Sequence, residues 1–136
     1  MIDHTGITVS DLARSKEFYR KALEPIGYRI LAEFPADITG GADVAGFGVP
    51  PKPDFWIASG RANVPSIHIA FRVANRALVE KFYRAALAAG GRDNGAPGER
   101  PHYHEHYFGA FVLDPDGHNI EAVCHDPVPV KLMHGN

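Results

Sequence analysis

The sequence predicts an α+β fold built from two copies of one unit, each a strand, a helix and then two or three shorter strands. Three observations predict it: a self-similarity at an offset of 64 residues, an alternating apolar stretch at the start of each copy, and a helical apolar stripe directly after it.

The self-similarity aligns HTGITVSDLARSKEFYRKALEPIGYR, from His4, with HIAFRVANRALVEKFYRAALAAGGRD, from His68, without a gap. Nine positions are identical, among them His4 with His68, Phe18 with Phe82, Tyr19 with Tyr83, Arg20 with Arg84 and Gly27 with Gly91. Average residue usage would give about one or two matches over such a window, so the offset marks a duplicated unit.

Each copy opens as a strand. Ile7 and Val9 alternate with Thr8 and Ser10, and Ile67, Ile69, Phe71 and Val73 alternate with Ser66, His68, Ala70 and Arg72. Ser10 and Asp11, or Asn75, can cap the first amides of the following helix, and Gly27 or Gly90 and Gly91 can end it in a left-handed turn. Leu12, Phe18, Tyr19, Ala22 and Leu23 recur at helical spacing, as do Leu78, Val79, Phe82, Tyr83, Ala86 and Leu87, and they are read as core. Strands are then expected at 28–34, 44–49 and 54–59 in the first copy. In the second, a long loop is expected before strands at 107–113 and 118–124. Each sheet has one face under its helix and one face free, and two free faces can border a cavity. PADITGGADVAGFGVPPKP and GGRDNGAPGERPHYHEHY would be loops at its mouth.

A length of 136 residues, 45% of them apolar and 22% charged, suits one globular domain. We place that domain at 1–128, with modules at about 1–62 and 63–128 and a tail at 129–136. The net charge of -2 gives no basic surplus for nucleic acid or an anionic membrane. Cys124 stands alone, no apolar run is long enough to span a bilayer, and the start has no leader pattern, so a cytoplasmic protein is expected.

Eight histidines raise the question of metal chemistry. The repeat puts His4 and His68 at equivalent points of two strands, on the polar face. In HNIEAV, alternation puts Ile120, Ala122 and Cys124 on one side and Glu121 on the other, so Glu121 can share the cavity. Two imidazoles and one carboxylate form a three-ligand metal site with open positions. A rival arrangement uses His102, His104 and His106, whose alternate spacing could line one strand. Arg100, Tyr103, His104 and Tyr107 can orient an anionic or enol substrate, with His104 or Tyr103 moving a proton. Trp56 and Phe55 can give the pocket an apolar wall, although adjacent residues of a strand point opposite ways. His118 falls in the turn DPDGH with a structural role, and Cys124 falls in the helix-facing core.

HTGITVSDLARSKEFY, SIHIAFRVANRALVEKFY and FVLDPDGHNIEAV resemble the paired units and closing strand of the vicinal oxygen chelate superfamily of glyoxalases, bleomycin-resistance proteins and ring-cleaving dioxygenases. The resemblance implies two βαβββ modules forming a cupped, incomplete mixed-sheet barrel. It also implies one divalent metal (Fe, Mn, Zn or Ni) held by His4, His68 and Glu121, and a homodimer. The implied activity is that of a lyase, isomerase or dioxygenase on a small oxygen-chelating substrate; the alternative is a metal-free small-molecule binding protein of the bleomycin-resistance type. Glyoxalases usually add a fourth ligand from the last strand of the first module. Here the residue 64 positions before Glu121 is Ile57, which cannot ligate a metal.

Overall fold

In the computed structural model, which describes residues 1–127, alternation and capping place the elements as the sequence patterns require. The first module runs β1 (Thr5–Val9), α1 (Leu12–Leu23), a 3-10 turn (Glu24–Ile26), β2 (Arg29–Phe34), the one-turn helix α2 (Ala36–Thr39), β3 (Val44–Gly48) and β4 (Phe55–Ser59). The second runs β5 (His68–Arg72), α3 (Arg76–Ala88), β6 (Arg92–Glu99), β7 (Phe108–Leu113) and β8 (Asn119–Cys124). The tail expected at 129–136 lies outside the described residues.

Both long helices start on a side-chain cap. Asp11 accepts from the Arg14 amide at 3.1 Å and Asn75 from the Leu78 amide at 3.0 Å. Gly27 and Gly90, at φ of 91° and 101°, take the left-handed turns that close the two units. The buried stripes Phe18, Tyr19, Ala22 and Leu23 on α1, and Val79, Phe82 and Ala86 on α3, cover one face of each sheet.

The sheets have the same topology. Their orders are β1-β4-β3-β2 and β5-β8-β7-β6, with the first pair parallel and the others antiparallel. The barrel is not closed: two four-stranded mixed sheets lie under a helix layer in which α1 and α3 touch. Their other faces carry no helix, and these are the faces on which the sequence placed His4, His68 and Glu121.

Two segments expected as loop carry structure: residues 36–39 form the single turn α2, and a strand appears in the second module. Residues 92–99, expected within a long loop, form β6 against β7. As the outermost strand it tolerates Pro97, which lacks an N–H, and register shifts between Asp93 and Gly95 and between Gly95 and Gly98 absorb its glycines.

The modules are joined by the turn between β7 and β8. Asp114 accepts from the Tyr19 hydroxyl, Asp116 from the Ser10 amide and hydroxyl, and His118 Nε2 donates to the Thr8 carbonyl at 3.3 Å. His118 Nδ1 accepts the Ile67 amide at 3.0 Å, which leaves Nε2 as the donor. Aromatic edges complete the seam, with Phe71 against Phe55 and Tyr28 at ring distances of 5.4 and 5.3 Å.

Gly91, between α3 and β6, sits where no side chain fits. A Cβ there would lie 2.4 Å from Val112 Cγ1, 2.8 Å from the Ala86 carbonyl and 2.9 Å from Phe18 Cε1. Gly91→Ala is therefore expected to cost about 1–3 kcal/mol through overpacking, read as a lower urea midpoint at unchanged m-value. A midpoint within error of the parent would contradict this packing.

Candidate metal centre

Strand alternation turns Ile120, Ala122 and Cys124 into the core and Glu121 to the open face of the second sheet, yet the Glu121 side chain is only 1% exposed. Its neighbours across the ladders are Ala70 on β5 and Phe111 on β7. His68, two residues before Ala70 on the same face, donates from Nε2 to Glu121 Oε1 at 2.8 Å. The Tyr107 hydroxyl donates to Oε2. Partial burial, and then the carboxylate it faces, push the Tyr107 phenol well above its ordinary pKa. The carboxylate is enclosed, whereas the His68 side chain, 53% exposed, opens to a groove of about 510 Å³ between the modules. Tyr28, Asp54, Phe71 and Arg72 also line this groove.

His4 occupies the corresponding open face of the first sheet. Its Nδ1 donates to Asp3 at 2.7 Å, and Asp3 also pairs with Lys52 at 2.7 Å. Lys52 first, and then His4, hold the Asp3 carboxyl below its usual range. His4 shares a separate groove of about 480 Å³ with Gly6, Val44, Lys52, Pro53 and Trp56. The structure thus joins His68 to Glu121 and leaves His4 apart. Among the described residues, no three His, Cys, Asp or Glu side chains are grouped to hold one ion.

Register corrects the symmetry mate of Glu121. Gly6 pairs with Trp56 in the first module, and Ala70, its repeat partner 64 residues on, pairs with Glu121 in the second. Trp56, not Ile57, therefore stands where the second module has its carboxylate. Trp56 itself faces Gly46 as Glu121 faces Phe111. A Cβ at Gly46 would sit 2.8 Å from two atoms of the Trp56 ring, so only glycine lets the indole lie on β3. Phe34 stacks beside it, 6.1 Å away and tilted by 18°.

The remaining predicted site residues separate. Phe55 is buried, with its ring packed on Tyr19 and Phe71, and it borders the groove beside His68 rather than the Trp56 face. The Arg100 guanidinium lies over Phe111 and donates to the Ala96 carbonyl at 2.9 Å. Residues 101–106 form turns, with His106 at φ 64°, so His102, His104 and His106 do not line a strand. Within those turns, His104 donates to the Glu105 carbonyl and packs on His125, and Tyr103 packs on Tyr107. Sequence reading missed Asp114 and Gly109. DPDGH signals a turn but not what the turn grips, and nothing in YFGAF marks a glycine under a carboxylate.

Residues 1–122 match the family described as the Glyoxalase/Bleomycin resistance protein/Dioxygenase superfamily, and the chain belongs to it. A glyoxalase/bleomycin resistance protein from Albidiferax ferrireducens T118 superposes with a TM-score of 0.72 at 24% identity, covering 92% of this chain and 98% of that one. A glyoxylase/bleomycin resistance protein/dioxygenase domain from Frankia sp. EAN1pec gives 0.70 at 17% identity, covering 91% and 96%. An E144Q glyoxalase I mutant from Zea mays gives 0.68 at 23% identity, covering 90% of this chain but 46% of the maize chain. At these identities the likeness shows the fold. No curated protein sequence matches the chain. No helix among the described residues is long and apolar enough to cross a membrane.

Proposed function

We propose that the chain is a divalent-metal-dependent enzyme acting on a small substrate with adjacent oxygens, and that it works as a homodimer. In this reading His68 and Glu121 of one copy share the ion with His4 of the other. The observation that carries it is the buried Glu121 carboxylate. Burying such a group is costly unless it is paired, and its partners here are an imidazole and a phenol rather than a lysine or arginine. An imidazole nitrogen and a carboxylate oxygen on one rigid face are donors that Fe, Mn, Zn or Ni accepts. The chain supplies the third donor on its other open face. An isologous dimer that sets the first module of one copy against the second module of its partner would bring that donor across, twice, by symmetry.

The bound ion would supply Lewis-acid or, as iron, redox chemistry to adjacent oxygens. The protein's own groups do the rest. Trp56 and Phe34 offer a flat apolar surface to the substrate, Arg100 a positive charge for an anionic arm, and Tyr103 at the rim a hydroxyl for proton transfer. Trp56 in place of a carboxylate limits the protein donors to three, and lyase, isomerase and dioxygenase chemistry all fit such a set.

The test is metal analysis and cobalt(II) titration of tag-free protein. One ion per chain is expected for the parent, with at least roughly tenfold weaker binding in His68→Ala and in Glu121→Ala. Parent-like binding in both variants would overturn the reading. A second reading, metal-free sequestration of a planar compound, is favoured by the Trp56 and Phe34 stack on Gly46. Trp56 is the sole tryptophan, so quenching of its fluorescence by aromatic ligands in a protein that takes up no metal would select sequestration.

A further inference from the structure

The backbone at Tyr107 is anchored at both its amide and its carbonyl. The Arg100 amide donates to the Tyr107 carbonyl at 2.7 Å, and the Tyr107 amide to the His104 carbonyl at 3.2 Å, closing the turns at 101–106. The ring itself stands between those of Tyr103 and His125, 5.2 Å from each and nearly perpendicular to both. Beneath it lies Gly109. A Cβ there would come within 3.2 Å of Tyr107 Cε1 and 3.3 Å of Glu121 Oε2, so a side chain at 109 would press on both partners of the hydroxyl–carboxylate bond. The hydroxyl points at Glu121 Oε2 and donates to it. Oε1 remains on the other side of the carboxylate, beside His68 Nε2.

We propose that Tyr107 is a positioning residue for Glu121, with Gly109 as the floor that lets them meet. By holding Oε2 it presents Oε1, together with His68 Nε2, as the pair of donors offered to a divalent ion, whose binding releases the Nε2 proton to solvent. This rests on the metal reading above but assigns Tyr107 differently from the sequence, which placed it against substrate. A hydrogen bond to the non-ligating oxygen of a carboxylate fixes its orientation before the ion arrives. Loss of such a partner commonly weakens metal binding by ten- to a hundredfold. Gly109 serves the same bond, because its effect is steric and acts on both members.

The probe is cobalt(II) alone, followed by its visible absorption, which responds to coordination number and not only to occupancy. Tyr107→Phe keeps the ring and its packing while deleting the hydroxyl. It is expected to raise the cobalt dissociation constant roughly tenfold to a hundredfold. The visible band should also change in intensity, because the carboxylate would no longer be held in one orientation. Gly109→Ala should weaken binding in the same direction, with circular dichroism showing that both variants are folded. Parent-like affinity and spectrum in Tyr107→Phe, alongside lost binding in Glu121→Ala, would overturn the positioning role and leave the metal reading standing. Undiminished binding in Glu121→Ala and His68→Ala would remove the metal reading, and this inference with it.

Discussion

Protein carrying His4→Ala, mixed and subunit-exchanged with protein carrying Glu121→Ala, will recover about a quarter of the parental cobalt sites, although each variant alone binds cobalt weakly. His4 lies beside the first sheet with Trp56 and Lys52, whereas His68 and Glu121 lie on the second, so in the proposed reading an ion held by all three draws on two copies. In a mixed dimer one site joins intact His4 from the Glu121→Ala copy with intact His68 and Glu121 from the His4→Ala copy. The other site carries both lesions. Random exchange makes about half of the dimers mixed, and half of their sites are whole. The readout is the amplitude of tight cobalt binding, with exchange verified independently by mass. No recovery after complete exchange would exclude a site shared between copies, and tight binding by His4→Ala alone would show that His4 is not a ligand.

The parts of this site that were legible are those governed by short-range periodicity. Alternation in HNIEAV is enough to put Glu121 opposite Ile120, Ala122 and Cys124, and the ungapped repeat is enough to put His68 at the place of His4. The repeat loses one residue of register between helix and closing strand. The offset is 64 at Gly6 and Ala70 but 65 at Trp56 and Glu121, so an ungapped alignment assigns the wrong mate. Local composition hides β6, because Gly95, Pro97 and Gly98 are the residues of a loop unless a partner strand holds them at a sheet edge. The spatial separation of His4 from Glu121 depends on how two sheets sit side by side. That is decided by contacts such as Phe55 with Phe71, which join residues far apart in the chain and leave no periodic trace.

Asp114→Ala should destabilise the fold by about 3 kcal/mol or more, the largest loss expected from a single residue outside the metal centre. Asp114 is 1% exposed, and three donors converge on it: the Tyr19 hydroxyl, and the Asp116 and His118 amides at 2.9 and 2.8 Å. Alanine leaves all three without their acceptor. The Tyr19 oxygen has no route to water, because that residue is fully buried under the second module, and each unpaired buried donor costs about 1–3 kcal/mol. The loss also spreads, because the Asp114 turn aims Asp116 at Ser10 and His118 at Thr8. Asp114→Asn keeps an oxygen for the two amides, and the Tyr19 hydroxyl can rotate, so it should lose less than half as much. Urea unfolding measures both, and a loss below about 1 kcal/mol for Asp114→Ala would show that the modules are held by the aromatic seam instead. The same turn fixes how β1 and β5 face each other across the groove into which His68 opens. If the proposed metal site is present, the two substitutions should weaken cobalt binding in the order in which they weaken the fold, which would tie that candidate site to the module seam.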